Sequence, residues 1–280
     1  MPYVLVNQEI VPEEEASISV LDRSYLFGDG VYEVIRIYNG LLFAAHEHMT
    51  RLARSANELD IPLPYSQEEW EDLSRELVQK NNITEGYIYI QLSRGQGVRN
   101  HLYERYQDAL VTAFTRELPA SGPFNSPVTA FVTPDIRWLR CDIKTVNLLG
   151  NVMAKRKAAD HHAAEAIQHR DGIITEGSSA NVFLVKDNVI YTHPANHYIL
   201  NGITRQLVLK VAEQLAFSIK LEAFTTEDLL SADEVFLTST SLEVTPVKNV
   251  RGDISTSYGD TRVADRLQEA FNRTIPGRME

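Results

Sequence analysis

Proline, glycine and serine gather at Leu118-Pro119-Ala120-Ser121-Gly122-Pro123, and no periodic pattern crosses them. This break constrains the fold more than any other feature. A chain of 280 residues is long for one core. The cluster therefore predicts a smaller N-terminal domain over 1–118, a linker at 119–123 and a larger C-terminal domain over 124–280.

Both segments mix strands with helices. Tyr3-Val4-Leu5-Val6 and Ile10-Val11 flank a turn at Asn7-Gln8-Glu9, and Ser17-Ile18-Ser19-Val20 reads as a third short strand. Val31 to Tyr38 alternates as a strand, and Asn39-Gly40 turns it into Leu41-Leu42-Phe43. His46 to Leu59 carries Met49, Leu52, Ala53, Ala56 and Leu59 on one helical face. Ser66-Gln67-Glu68-Glu69 is a capping box opening a helix to about Lys80. Strands follow over Gly86–Gly95 and Leu110–Thr115, then over Val128–Thr133 in the second segment. Ile136 to Cys141 reads as extended, and Leu148 to about Ala164 as a helix. Strands over 165–169, 173–185 and 189–191 precede a helix from about Ile203 to Ala216, a strand over Asp233–Thr238 and a last helix over 260–273.

Composition removes several functions. The net charge is -11, from 27 basic and 38 acidic residues, against the basic face that nucleic acid requires. No apolar run has the length of a membrane span. The start, Met1 to Gln8, has no basic region followed by an apolar core, so a cytoplasmic location is expected. The single cysteine, Cys141, cannot form an intrachain disulfide and reads as a buried thiol. His46 and His48 stand two apart, which a helix cannot present on one face, so no metal site is expected there.

The chemistry centres on Asp142-Ile143-Lys144-Thr145-Val146-Asn147. An ammonium among apolar neighbours is poorly solvated, and a neutral amine there can attack an aldehyde to form a Schiff base. An aldehyde cofactor with a phosphate also needs an anion cradle and a carboxylate for its ring nitrogen. Gly202-Ile203-Thr204 at a helix start offers backbone N–H groups to an anion. Thr238-Ser239-Thr240-Ser241 after a strand adds hydroxyls. Glu176, ahead of Gly177-Ser178-Ser179, is a candidate partner for a pyridinium. Each stretch alone reads equally as a cap or turn; their joint order carries the argument.

In length and motif order the chain resembles the fold type IV, pyridoxal-phosphate-dependent aminotransferases. The motifs are Tyr25–Glu33, Lys144–Gly150, Thr175–Phe183, Gly202–Arg205 and Thr238–Pro246. Arg137–Lys144, Thr192–Asn196 and the triplet Arg99-Asn100-His101 make it most similar to the D-amino-acid aminotransferases of that class. The resemblance implies a two-domain α+β fold, with a small N-terminal α/β domain and a C-terminal domain with a β-barrel-like core. It implies pyridoxal 5'-phosphate bound covalently by Lys144, with Glu176 on its ring nitrogen and Leu200 against its ring. Arg51, Ile203, Thr204, Ser239 and Thr240 would hold the phosphate. Tyr32, Arg99 and His101 would bind the substrate α-carboxylate, the last two reaching in from the second subunit of a homodimer. Ala180 stands where a serine would be accepted, leaving Ser178 and Ser179 as alternative donors. The implied substrates are D-alanine and other D-amino acids with 2-oxoglutarate. The rivals are an L-branched-chain aminotransferase, an aminodeoxychorismate lyase of the same fold, and a cofactor-binding protein without activity.

Overall fold

The computed structural model describes residues 2–105, 108–118 and 126–278. Two compact units emerge: Met1–Ala120 with Ile143–Asn147, and Ser121–Asp142 with Leu148–Met279. The linker expected at 119–123 lies outside the described residues.

The first unit contains β1 (Tyr3–Val6), β2 (Glu9–Pro12), α1 (Arg23–Phe27), β3 (Gly30–Tyr38), β4 (Leu41–Leu42), α2 (Ala45–Asn57), α3 (Gln67–Lys80), β5 (Gly86–Ser93) and β6 (Leu110–Glu117). Its six strands form one antiparallel sheet in the order β2-β1-β6-β5-β3-β4. Alternation explains the burial. Ile88, Ile90 and Leu92 of β5 point inward with Val31, Ile35 and Ile37 of β3, and they pack with Met49, Leu52 and Ala56 of α2 and Trp70, Leu77 and Val78 of α3. Asn39 and Gly40 both have positive φ, 50° and 77°, as a two-residue hairpin turn demands. The Ser66–Glu69 capping box is present as expected.

Residues 143–147 lie beyond the 119–123 break in sequence but pack in this first unit. Ile143 is buried in its core. Tyr32 N–H donates to the Lys144 carbonyl at 3.0 Å, and Val146 N–H donates to the Gly30 carbonyl at 3.0 Å. Thr145 bridges to Val31. The lysine segment is thus pinned along the start of β3.

The second unit contains β7 (Val128–Pro134), α4 (Leu149–Asp160), β8 (Glu165–Arg170), β9 (Ile173–Gly177), β10 (Asn181–Lys186), β11 (Val189–Thr192), α5 (Ile203–Gln214), β12 (Ser218–Lys220), α6 (Thr226–Leu230), β13 (Glu234–Ser239), β14 (Glu243–Gly252), β15 (Thr256–Ser257) and α7 (Arg262–Asn272). Its nine-stranded sheet runs β12-β11-β10-β13-β14-β7-β8-β9, with β15 paired to β14. β7 and β8 are parallel, which requires the crossover that α4 supplies. Ala130, Val132, Ile167, Val182, Leu184, Val235 and Leu237 form the core on one face, and Phe183 stacks on Phe236 at 4.7 Å.

Two expected strands are not strands. Ser17–Val20 has no partner strand among the described residues and is largely exposed, because β2 already closes that edge of the sheet. Ile136–Cys141 is a chain of turns. Arg170 donates to the carbonyls of Arg137 and Trp138, at 3.1 and 2.9 Å, so a side chain satisfies groups that a ladder would have paired. Lys144 therefore lies in a loop bonded to β3, not between the extended run over Ile136–Cys141 and the helix from Leu148 that the sequence predicts. The long β14 and the short β12, β15 and α6 carry too little periodicity to be read in advance; α6 is nonetheless fixed by a capping box from Thr225 to Asp228.

Candidate active site

In the first unit, three expected residues converge. Lys144 N–H donates to Ser55 Oγ at 3.3 Å. Arg51 lies one helical turn before Ser55 on α2, on the same face. Lys144 Nζ stands 4.2 Å from the centroid of the Tyr32 ring. That ring stacks on Tyr89, and Tyr89 on Phe114, in a column with spacings of 5.4 and 5.0 Å.

Glu33 organises this side. It is fully buried, and both oxygens meet Arg51, from Nε at 2.7 Å and Nη2 at 2.8 Å. His48 Nδ1 approaches the same carboxylate at 2.7 Å. Burial raises the pKa of Glu33, but the charges and hydrogen bonds of Arg51 and His48 outweigh it and bring the group down to about 2. Burial lowers that of His48, aided by the Arg51 and Lys144 charges and opposed by Glu33. A neutral His48 donating from Nδ1 to Glu33 fits this environment. The signal for Glu33 was present in the sequence: it shares the inward phase of β3 with Val31, Ile35 and Ile37, where a carboxylate needs a partner.

In the second unit, Glu176 lies one residue before the end of β9 with its carboxylate buried. Arg137 Nη1 donates to Oε1 at 2.5 Å; Asn181 Nδ2 and Leu200 N–H each donate to Oε2 at 3.0 Å. Burial raises the pKa of Glu176, and Arg137 with the Leu200 N–H opposes that rise. Arg137 is itself gripped by Asp135, with Nε to Oδ1 and Nη2 to Oδ2 both at 2.9 Å, and Arg170 Nε reaches Asp135 Oδ2 at 3.1 Å. No local pattern marks Asp135, and Arg137 and Asn181 stand out in the sequence only as members of the motifs Arg137–Lys144 and Thr175–Phe183.

Asn181 is the hinge of this group. Its Nδ2 also donates to the Leu200 carbonyl at 2.8 Å, so one amide fixes both Glu176 and the Leu200 backbone. In the sheet register Asn181 lies opposite Thr238, which places Ser239 and Thr240 one and two residues beyond it. Gly202 caps α5, and a Cβ there would lie 2.3 Å from Asn181 Oδ1, so only glycine fits. Ile203 and Thr204 are buried in the first turn of α5, whose start has no side-chain cap.

The remaining expected residues fall elsewhere. Ser178 and Ser179 are committed to the buried Glu165: both hydroxyls donate to it, that of Ser179 at 2.7 Å. Arg99 and His101 are exposed on the loop after β5 in the first unit. Cys141 is buried, its thiol pushed up to about 11 by desolvation.

The second unit's residues are chemically suited to pyridoxal phosphate. A carboxylate has about four acceptor positions. Three donors occupy those of Glu176, leaving room for a ring N–H. Thr238 Oγ1 is buried without a partner among the described residues, at the register position opposite Asn181, and α5 begins without a side-chain cap, so its first N–H groups suit an anion.

The family model for amino-transferase class IV matches residues 30–250. The chain belongs to the class IV aminotransferases. A D-alanine aminotransferase of Staphylococcus epidermidis is 47% identical over 277 residues, covering 98% of each chain. One from Listeria monocytogenes is 47% identical over 253 residues, 89% of this chain and 88% of the relative. Among solved structures, this class IV aminotransferase is similar to the branched-chain aminotransferase of Thermoproteus uzoniensis in complex with norvaline, at a TM-score of 0.91 and 28% identity over 100% of this chain and 96% of that one. A putative 4-amino-4-deoxychorismate lyase of Legionella pneumophila gives 0.83 and 29%, over 94% and 97%. The mixed α+β, fold type IV architecture expected from the sequence is thereby established.

Proposed function

We propose that this chain is a pyridoxal-phosphate-dependent D-amino-acid transaminase, moving the amino group of D-alanine and other D-amino acids to 2-oxoglutarate. The observation that carries the reading is 47% identity to D-alanine aminotransferases along nearly the whole chain, against 28% to the branched-chain enzyme whose fold it shares.

When bound, the cofactor supplies an electron sink for the carbanion at the substrate Cα. Lys144 Nζ would hold the cofactor through its aldehyde, and the free amine would act as general base toward the substrate Cα proton. Glu176 offers its remaining acceptor position to the ring N–H, with Arg137, Asn181 and Leu200 holding the carboxylate in place. Leu200 would pack against the ring. Arg51, Ile203, Thr204, Ser239 and Thr240 hold the phosphate. Tyr32, Arg99 and His101 hold the α-carboxylate, Arg99 because a guanidinium fork binds a carboxylate bidentately.

The second subunit of a homodimer supplies Arg99 and His101. Their exposure supports this, as does the apolar surface beside them: Tyr25, Val98 and Leu102 are 73%, 85% and 77% exposed, a grouping that a monomer rarely leaves bare. No described helix is long and apolar enough to cross a membrane, and we place the enzyme in the cytoplasm.

The test is a panel of D- and L-amino acids with 2-oxoglutarate on protein reconstituted with cofactor. D-alanine should be turned over to pyruvate and L-leucine used poorly. The reverse preference would assign the chain to the branched-chain enzymes, and pyruvate release from aminodeoxychorismate without an amino acceptor would assign it to the lyases. Borohydride reduction should label position 144 and no other.

A further inference from the structure

Arg99 and His101 sit on an exposed loop, yet a carboxylate clamp must be held to within a fraction of an ångström to be useful. The first unit contains a device that holds it. α1 is a single turn, N-capped by Asp22, whose carboxylate accepts Ser24 N–H at 2.8 Å and Ser93 Oγ–H at 2.6 Å. Arg23 opens this turn and is only 4% exposed. Its Nε donates to Asp29 Oδ2 at 2.8 Å, and its Nη1 donates to the carbonyl of Asn100 at 2.7 Å, in the middle of the clamp triplet. Asp29 Oδ2 also accepts from Arg94 Nε at 2.9 Å.

Phe27 closes the same turn and carries three groups. The Arg23 guanidinium lies 4.7 Å from its ring centroid and that of Arg99 lies 5.4 Å away. The His101 ring lies 5.6 Å away, tilted by 59°. Both clamp side chains therefore rest on one aromatic ring, while the backbone between them is tied by one buried arginine. A loop that merely connected β5 to β6 would need neither contact, because its exposed side chains are satisfied by water.

We propose that Arg23 and Phe27 are positioning residues for the substrate-carboxylate clamp: Arg23 sets the backbone at Asn100, and Phe27 sets the side chains of Arg99 and His101. This rests on the clamp role given to Arg99 and His101 above. The residues touch neither substrate nor cofactor and act through the loop. They govern affinity for the α-carboxylate rather than proton transfer at Lys144.

The experiment measures KM and kcat for D-alanine in Phe27→Leu, Phe27→Tyr, Arg23→Met, Arg23→Lys and Arg99→Ala holoenzymes. A cation–π contact at an exposed site is worth a factor of about 2 to 5. A charge-assisted hydrogen bond to a carbonyl is worth about tenfold or more. Phe27→Leu should raise KM about fivefold and Arg23→Met about tenfold, with kcat held within about twofold. Phe27→Tyr should restore KM, and Arg23→Lys should restore it in part. An amine donor without a carboxylate should react at the same rate in Phe27→Leu as in the parent, which a general loss of structure would not allow. An unmoved KM in Arg99→Ala removes the clamp, and this proposal with it. A raised KM in Arg99→Ala with an unmoved KM in Phe27→Leu leaves the clamp standing and overturns the positioning role. A fall in kcat for both donor types in Phe27→Leu overturns it as well.

Discussion

Asp135→Asn separates charge from shape at the root of the Glu176 group. The Asp135 carboxylate has no exposed side-chain surface and holds Arg137 and Arg170. Burial raises its pKa, but the hydrogen bonds and charges of Arg137, with Arg170, bring it from the ordinary 3.8 to about 2. That difference corresponds to about 2 kcal/mol of stability at neutral pH. The folded pKa lies below the unfolded one, so this contribution is complete above about pH 5 and is lost as the pH falls toward 2. At about pH 3, roughly 1 kcal/mol of it has gone. Asparagine keeps the shape and cannot titrate. Urea unfolding followed by circular dichroism should show the parent more stable than Asp135→Asn by about 2 kcal/mol at pH 7, with the gap narrowing by about 1 kcal/mol at pH 3. Other carboxylates titrate in both proteins and cancel in the difference. A gap of the same size at both pH values would show that shape and not charge secures Arg137, and the account of how Glu176 is held would fail.

Two further substitutions probe each half separately. Glu33→Gln leaves the Arg51 charge buried without its bidentate partner, and breaking such a pair costs about 3–5 kcal/mol; the variant should unfold at correspondingly lower urea and lose cofactor faster on dialysis against phosphate, whereas unchanged retention would detach Arg51 from the phosphate. Gly202→Ala drives a Cβ into Asn181 Oδ1, so the Asn181 bonds to Glu176 and Leu200 must give way, at about 1–3 kcal/mol; a calorimetric melting temperature equal to the parent's would show that the amide has another resting place.

The sequence discloses what is periodic or local and conceals what converges from a distance. The alternation of β3 and β5, the Asn39-Gly40 turn and the Ser66 capping box are all legible because each involves residues a few positions apart. Ile136–Cys141 misleads for the same reason: it has the look of a strand, but Arg170, more than thirty residues on, takes its carbonyls. Glu176 is recognisable from its motif, yet its donors come from positions 137, 181 and 200, three separate segments that no local pattern joins.

A more general sign was nevertheless available. Glu33, Glu165, Glu176 and Glu234 each lie buried in a strand, and each has donors. A carboxylate in the inward phase of a strand is costly unless paired, so its presence predicts partners before any are seen. What it cannot predict is purpose. Glu234 accepts the N–H groups of Val263 and Ala264 and caps α7. Glu165 ties down Ser178 and Ser179 and meets Lys155 Nζ at 3.0 Å. In both cases the donors are the helix or turn being anchored, and the carboxylate serves the fold. Glu176 differs in kind: its donors are themselves held by other groups, Arg137 by Asp135 and Asn181 by Leu200, and its neighbour α5 begins without a cap. A carboxylate secured from behind, with an acceptor position to spare, suits the cofactor-binding role proposed above for Glu176.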